Sequence, residues 1–214
     1  MPLVDRAIGR VGAVTGEIAV NVHHGRDALE DHLAGRVHVS AEDVLLGTAG
    51  ALGRLRPWID GRDVVVVNAD LVTNADLATA VERWDHATTV LLGAGATTLE
   101  PDLKLCGALM PWAAVRELEE VPSGLFRRSW RPAAEAGRLS VVDVGPADWF
   151  DCGTARSYLA ANLWANGGES VVGQGCEVRG GMTRCVLWDD TTVGERERLV
   201  DAIRASDRIT VLVR

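Results

Sequence analysis

Four consecutive valines at positions 64–67, closed by Asn68-Ala69-Asp70, constrain the fold more than any other stretch of this 214-residue chain. An unbroken apolar run of that length reads as a strand buried on both faces, and such strands belong to the interior of parallel sheets. A parallel sheet needs crossover connections, so helices must alternate with strands. Asp70 is then expected just past the carboxyl end of a central strand, where open α/β sheets collect their ligands.

The rest of the chain supplies that alternation. Residues 2–14 carry apolar side chains at helical spacing (Leu3, Val4, Ala7, Ile8, Val11, Val14), with Gly16 as the stop. A strand follows at 17–23, a short helix at 27–33 and a short strand at 37–39. Residues 41–52 include Gly47-Thr48-Ala49-Gly50 and open a helix reaching Trp58. Glycines there allow close backbone approach, either by a base or phosphate or by neighbouring chain. Beyond Asp70, Thr73 or Asn74 can cap a helix running to Trp84, so capping does not account for Asp70. Residues 88–92, 104–110 and 139–144 read as strands, and Pro111 suits the start of a helix. Residues 126–136 are helical in part. Their Arg127, Arg128 and Arg131 form either a phosphate-facing cluster or a solvated face. Thr154 can cap a helix reaching Trp164.

From Ser170 the period changes. Val172 and Val178 stand six apart among glycines, and Val186 and Val193 continue the theme imperfectly. That spacing predicts a short left-handed β-helix-like appendage, followed by a closing helix at 195–205 and a last strand at 209–213. The expected architecture is α/β. Residues 1–168 form a Rossmann-like, doubly wound and mainly parallel sheet domain, and residues 169–214 form the tail.

Composition excludes several function classes. A net charge of −8 argues against nucleic acid or an anionic membrane as the main partner, while leaving room for a local basic pocket. The four cysteines show no C-x-x-C spacing and read as reduced, packed thiols rather than zinc ligands. Asp5 and Arg6 are unlike a signal peptide, and no stretch approaches the ~20 apolar residues of a bilayer span. The expected location is cytoplasmic. Walker-type, G-x-G-x-x-G and G-x-S-x-G motifs are absent. His23 and His24 adjoin a strand end, as ligands or as a polar terminus.

A second carboxylate stands in Trp149-Phe150-Asp151-Cys152-Gly153-Thr154, ahead of a helix. Asp70 and Asp151 are read as holding a divalent cation beside a nucleotide, against the alternative of two unrelated loop acids. Together with Leu46-Gly47-Thr48-Ala49-Gly50-Ala51-Leu52, Val67-Asn68-Ala69-Asp70, Tyr158-Leu159-Ala160-Ala161-Asn162 and the glycine-rich tail, this chain resembles the sugar-phosphate nucleotidyltransferases (NDP-sugar pyrophosphorylases), in particular the mannose-1-phosphate guanylyltransferase-like group. The resemblance implies nucleotide contacts at Gly47, Thr48, Ala49, Gly50 and Asn68. It implies Mg²⁺ at the catalytic Asp70 and Asp151, with a nucleoside triphosphate and a sugar 1-phosphate as partners and pyrophosphate as leaving group. The oligomeric state is left open, with the tail as a candidate contact surface for a homo-oligomer.

One departure from the family follows. The family opens with a buried strand, a Gly-x-Gly-Thr-Arg loop and a downstream Pro-Lys, and this sequence matches only after that region. The expectation is an N-terminally truncated reading of a longer protein, or a fragment inactive alone. The first family strand would be missing between 17–23 and 63–70, leaving two inner edges unpaired. The alternative is a non-catalytic regulatory or nucleotide-sugar-binding member. A hexapeptide acyltransferase fails because the tail is too short.

Overall fold

The computed structural model describes residues 1–213, grouped in two compact units: residues 1–69 with 73–149, and residues 70–72 with the chain from Phe150 onward.

In the first unit α1 (Leu3–Gly12) buries Val4, Ala7 and Val11, one stripe at helical spacing. It ends on Ala13 rather than at Gly16. Strands β1 (Ala19–Val22) and β2 (His38–Ala41) pair in parallel from Ala19↔His38 to Val22↔Ala41. Between them in sequence lies α2 (Arg26–Leu33), whose Leu33 packs with Val4 and Val22. The next helix, α3 (Gly47–Ile59), carries Pro57 in its last turn. Proline has no N–H for the Gly53 carbonyl, and the Arg56 guanidinium donates to that oxygen instead, at 3.2 Å.

Strand β3 (Val64–Val66) and the short β4 (Leu71–Thr73) flank Asp70. Then come α4 (Leu77–Glu82), β5 (Thr89–Gly93), β6 (Leu105–Met110), α5 (Trp112–Val115), a π-helical turn at Phe126–Trp130, α6 (Arg131–Glu135) and β7 (Leu139–Asp143). The sheet order is β3-β6-β5-β7. β6 runs antiparallel to both neighbours, and only β5 and β7 pair in parallel.

This corrects the reading of the valine run. β3 is an edge strand with an antiparallel partner, and its valines are half-buried. The fully enclosed strands are β5 and β6, where Leu91, Leu92, Ala108 and Leu109 are completely buried. An apolar run reports the two faces of a strand, and nothing in it reports whether both edges find partners. The cap of α4 is also displaced. Asp76, not Thr73 or Asn74, accepts from the Ala78 and Thr79 amides. Capping still leaves Asp70 unexplained.

Strand β4 pairs with β8 (Trp149–Asp151). Helix α7 (Ala155–Ala165) opens as expected on Thr154, whose Oγ1 accepts from the Ser157 N–H at 3.1 Å. Six short strands follow: β9 (Val171–Val172), β10 (Glu177–Val178), β11 (Gly181–Leu187), β12 (Thr192–Val193), β13 (Arg198–Ser206) and β14 (Ile209–Leu212). β9, β11 and β13 stack in parallel with Val171, Val186 and Ile203 in one row. β10 pairs in parallel with β12, and β14 returns antiparallel on β13.

The closing helix expected at 195–205 is therefore a strand. Leu199, Ala202 and Ile203 fit a helical stripe, but the ladder to β11 decides the outcome. Between the pairs Thr183↔Val200 and Cys185↔Ala202, Arg184 and Asp201 both adopt positive φ (50° and 48°) and bond to each other through Nε and Oδ1 at 2.6 Å. Both strands bend there together. Arg204 is buried. It donates to the Thr192 carbonyl at 3.0 Å and to Glu197 Oε1 at 2.6 Å, and this holds the Glu197 carboxyl below the ordinary range, helped by the Gly194 N–H.

Candidate functional site

The second unit brings Asp70 and Asp151 together. The Cys152 N–H donates to the Asp70 carbonyl at 3.0 Å, clipping the two loops beside the β4–β8 pair. Asp151 accepts the Gly153 N–H at 3.0 Å through Oδ1. Gly153 lies against both acids: a Cβ there would stand 3.2 Å from Asp151 Oδ1 and 4.0 Å from Asp70 Oδ2. Both carboxylates are exposed. The Asp70 side chain has no partner among the described residues, and Asp151 keeps Oδ2 for other use. This is a donor set of two acids around a cradle kept open by a missing side chain. Mg²⁺ takes one or two carboxylates and completes its shell with phosphate and water, so the residues fit that ion. No group of three or more His, Cys, Asp or Glu placed to hold a metal occurs among the described residues.

The remaining predicted residues belong to the first unit. Gly47, Thr48, Ala49 and Gly50 form the first turn of α3, which packs on the strap at 119–123. A Cβ on Gly47 would come within 2.7 Å of the Ser123 carbonyl oxygen, and one on Gly50 would strike the Val121 carbonyl. The Ser123 oxygen accepts the Ala49 N–H at 3.0 Å and the Gly50 N–H at 3.5 Å. Thr48 Oγ1 accepts the Leu125 N–H. Ala49 and Gly50 are buried, so only Gly47 and Thr48 reach solvent, beside the exposed Val44 and Leu45. Asn68, just after β3, is exposed and has no side-chain partner among the described residues.

Of the arginine cluster, Arg128 pairs with Glu119 at 2.9 Å and Arg131 with Glu135 at 3.2 Å, both exposed. That is the solvated face, with two of three charges already matched. His23 Nδ1 lies 2.9 Å from the Glu42 carbonyl.

Sequence reasoning missed Glu42, which is 2 % exposed. Its Oε1 accepts from Asn21 Nδ2 at 3.0 Å and its Oε2 from the Leu46 N–H at 2.9 Å, fixing the loop that enters α3. No periodicity marks it, because the signal is a pairing between the ends of two strands. A cavity of about 490 Å³ lies between α4 and the β5–β7 edge, lined among others by Trp84, Leu92 and Val142. Its acids Asp76, Asp85 and Asp143 are occupied by neighbouring backbone N–H groups, and it holds none of the predicted site residues.

The chain matches no protein-family profile and no curated protein. Solved structures do match. One is described as mannose-1-phosphate geranyltransferase from Thermus thermophilus, with TM-score 0.68 and 18% identity over 98% of this chain and 84% of that one. A Bacillus anthracis chain described as a glucose-1-phosphate thymidylyltransferase gives TM-score 0.62 and 17% identity over 77% and 82%. HddC from Yersinia pseudotuberculosis gives 0.58 and 14% over 73% and 82%. The fold is that of the sugar-phosphate nucleotidyltransferases. No helix among the described residues is long and apolar enough to cross a membrane.

Proposed function

We propose that this chain serves nucleotide-sugar synthesis: transfer of a nucleoside monophosphate from a nucleoside triphosphate to a sugar 1-phosphate, with release of pyrophosphate. The observation that carries the reading is the meeting of Asp70 and Asp151, two exposed acids remote in sequence, around Gly153. In this reaction a sugar-phosphate oxygen bonds to the α-phosphorus while the bond from that phosphorus to the β-bridging oxygen breaks. The barrier is charge crowding on phosphate oxygens, so positioned cations carry most of the catalysis. Mg²⁺, when bound, would screen that charge. Asp70 and Asp151 hold and orient the ion, and the Gly153 N–H fixes the Asp151 rotamer. Gly47 and Thr48, with Val44 and Leu45 beside them, are the part of the glycine segment open to a nucleobase. The parallel stack β9-β11-β13 with β10-β12 is read as a short left-handed β-helix of two coils and the start of a third.

Turnover is further read as requiring a loop of the Gly-x-Gly-Thr-Arg type to grip the triphosphate, a motif that the 214 residues do not contain. The test measures pyrophosphate release from a panel of nucleoside triphosphates and sugar 1-phosphates with Mg²⁺, for the chain as given and for a chain carrying such a loop upstream. Full activity of the 214 residues overturns the requirement for the loop. Absence of turnover from both, with no Mg²⁺-dependent nucleotide binding, overturns the reaction.

One observation favours a second reading, a non-catalytic nucleotide-sugar-binding protein. At the start of α3 the Ala49 and Gly50 amides are taken by Ser123 and the Leu46 amide by Glu42, which reduces the capacity of that helix end for phosphate. Tight binding of a nucleotide sugar by the loop-bearing chain, without pyrophosphate release, would select it.

A further inference from the structure

Strand β7 is an open edge of the sheet β3-β6-β5-β7. It pairs in parallel with β5, without a register shift, from Thr89↔Leu139 to Gly93↔Asp143. The Arg138 carbonyl accepts the Thr89 N–H, and the Val144 N–H donates to the Gly93 carbonyl. Even-numbered residues of this stretch therefore turn their backbone groups toward β5, and the residues between them turn away. The N–H and C=O groups of Leu139, Val141 and Asp143 face outward, with no partner among the described residues. Natural edges are guarded by lysine, proline, a bulge or a covering element. The sequence of β7, Leu-Ser-Val-Val-Asp, carries no lysine and no proline, and its ladder has no bulge.

Beside that edge runs the cavity of about 490 Å³. Its floor is built from two rows of the sheet, Val90 with Ser140 and Leu92 with Val142, and its wall from α4 and Trp84. Leu92 and Trp84 are buried, while Val142 is 45 % exposed. This sheet face is covered over β5 and bare over β7.

Charge marks the ends of the groove. Asp85 lies in the turn that leads into β5, and Asp143 closes β7 at the opposite end. Asp76, at the start of α4, is a third acid, and Arg83 is the one cation in the lining among the described residues. The Thr79 hydroxyl and the Ala78 N–H hold the Asp76 carboxyl below the ordinary carboxylate range. The Ala87 and Thr88 N–H groups do the same for Asp85. These acids accept hydrogen bonds and keep their charge.

We propose that the β7 edge and the groove beside it form a docking site for an extended basic segment of a partner protein, which adds to the sheet as a further strand. Main-chain hydrogen bonds run to Leu139, Val141 and Asp143. On the groove side of the guest a β-branched apolar residue covers Val142, and a lysine or arginine two positions to either side reaches the acids. Residues four positions apart in a strand are separated by about 13 Å, the same interval as Leu139 to Asp143. A second copy of this chain is a poor occupant, because pairing two such edges brings the acidic ends of two grooves together in a chain of net charge −8.

The experiment titrates an acetylated, amidated peptide, Gly-Lys-Thr-Ile-Thr-Lys-Gly, into the full chain and reads amide hydrogen exchange residue by residue. The expected dissociation constant is about 1 mM or tighter. With peptide at ten times that constant, exchange of the Leu139, Val141 and Asp143 amides should slow about tenfold. Replacing both lysines of the peptide by glutamate, or its isoleucine by proline, should each weaken binding at least about tenfold. Val142→Lys in the protein should weaken binding by a similar factor with Tm held; if that variant does not fold, the peptide series on the wild-type chain decides alone. Binding weaker than about 1 mM overturns the proposal. So does equal binding of the charge-reversed or proline peptide, binding without protection of those three amides, or unaltered binding by a folded Val142→Lys chain. Protection that arises without peptide and grows with protein concentration would assign the edge to a second copy and overturn it as well.

Discussion

Two glycine-containing segments invite the same functional reading, and the structure accounts for them differently. Around Gly47–Gly50 nearly every feature is used by the fold. The glycines admit the 119–123 strap, the Ala49 and Gly50 amides are taken by Ser123, and the Thr48 hydroxyl holds Leu125. Around Asp151–Thr154 the fold uses the Thr154 hydroxyl as a cap and one Asp151 oxygen as a turn acceptor. It leaves the other Asp151 oxygen and the whole Asp70 carboxylate unspent. Chemistry is best sought where structural duties leave polar atoms over, because exposed acids without partners contribute little to stability.

The comparison breaks most decisively at the carboxylates. Asp70→Asn or Asp151→Asn, in a chain competent for turnover, is expected to lower pyrophosphate release about 10³-fold, with Tm unchanged within about 2 °C. Loss of folding with loss of activity would mean that the acids are structural after all. At the other segment the expectation reverses. Gly50→Ala, and likewise Gly53→Ala against Glu119, should cost about 1–3 kcal/mol in urea unfolding, while activity per folded molecule holds.

Thr154→Ala removes the cap of α7 and should cost about 1 kcal/mol. Glu197→Gln provides a pH test within the second unit. The Arg204 guanidinium holds the Glu197 carboxyl below its ordinary pKa of 4.5. The stability from that pair is therefore fully present above 4.5 and lost as pH falls through the lower, folded-state value. The variant should melt below wild type at pH 7, and the gap should close on acidification. The smallest effect expected is from Gly153→Ala. Its Cβ would sit 3.2 Å from Asp151 Oδ1, so it should weaken Mg²⁺ dependence a few-fold without a shift in Tm.

Much of this was legible in the sequence. The spacing of Leu3, Val4, Ala7, Ile8 and Val11 locates α1, Thr154 locates the start of α7, and residues 104–110 contain β6. The alternation of apolar runs with amphipathic stretches is enough for an α/β fold. What was not legible shares a physical cause. The valine run could not show that β3 lacks a second neighbour, residues 195–205 could not show that β11 would claim them, and Glu42 carries no pattern of its own. Each is decided by a partner distant in the chain, and local periodicity reports only the faces of a single segment. The glycine segment was ambiguous for a related reason, since glycine marks close approach without naming what approaches.

The three residues Asp70–Val72 group with the later part of the chain, while everything around them groups with the earlier part. During synthesis Asp70 leaves the ribosome long before Asp151, and it waits with no second acid until the whole intervening stretch has been made. A nascent or proteolysed chain ending ahead of Phe150 would therefore own one of the two proposed ligands and no site. On the proposed function, cation capture would be an event of completion, and an abandoned early fragment would be chemically silent.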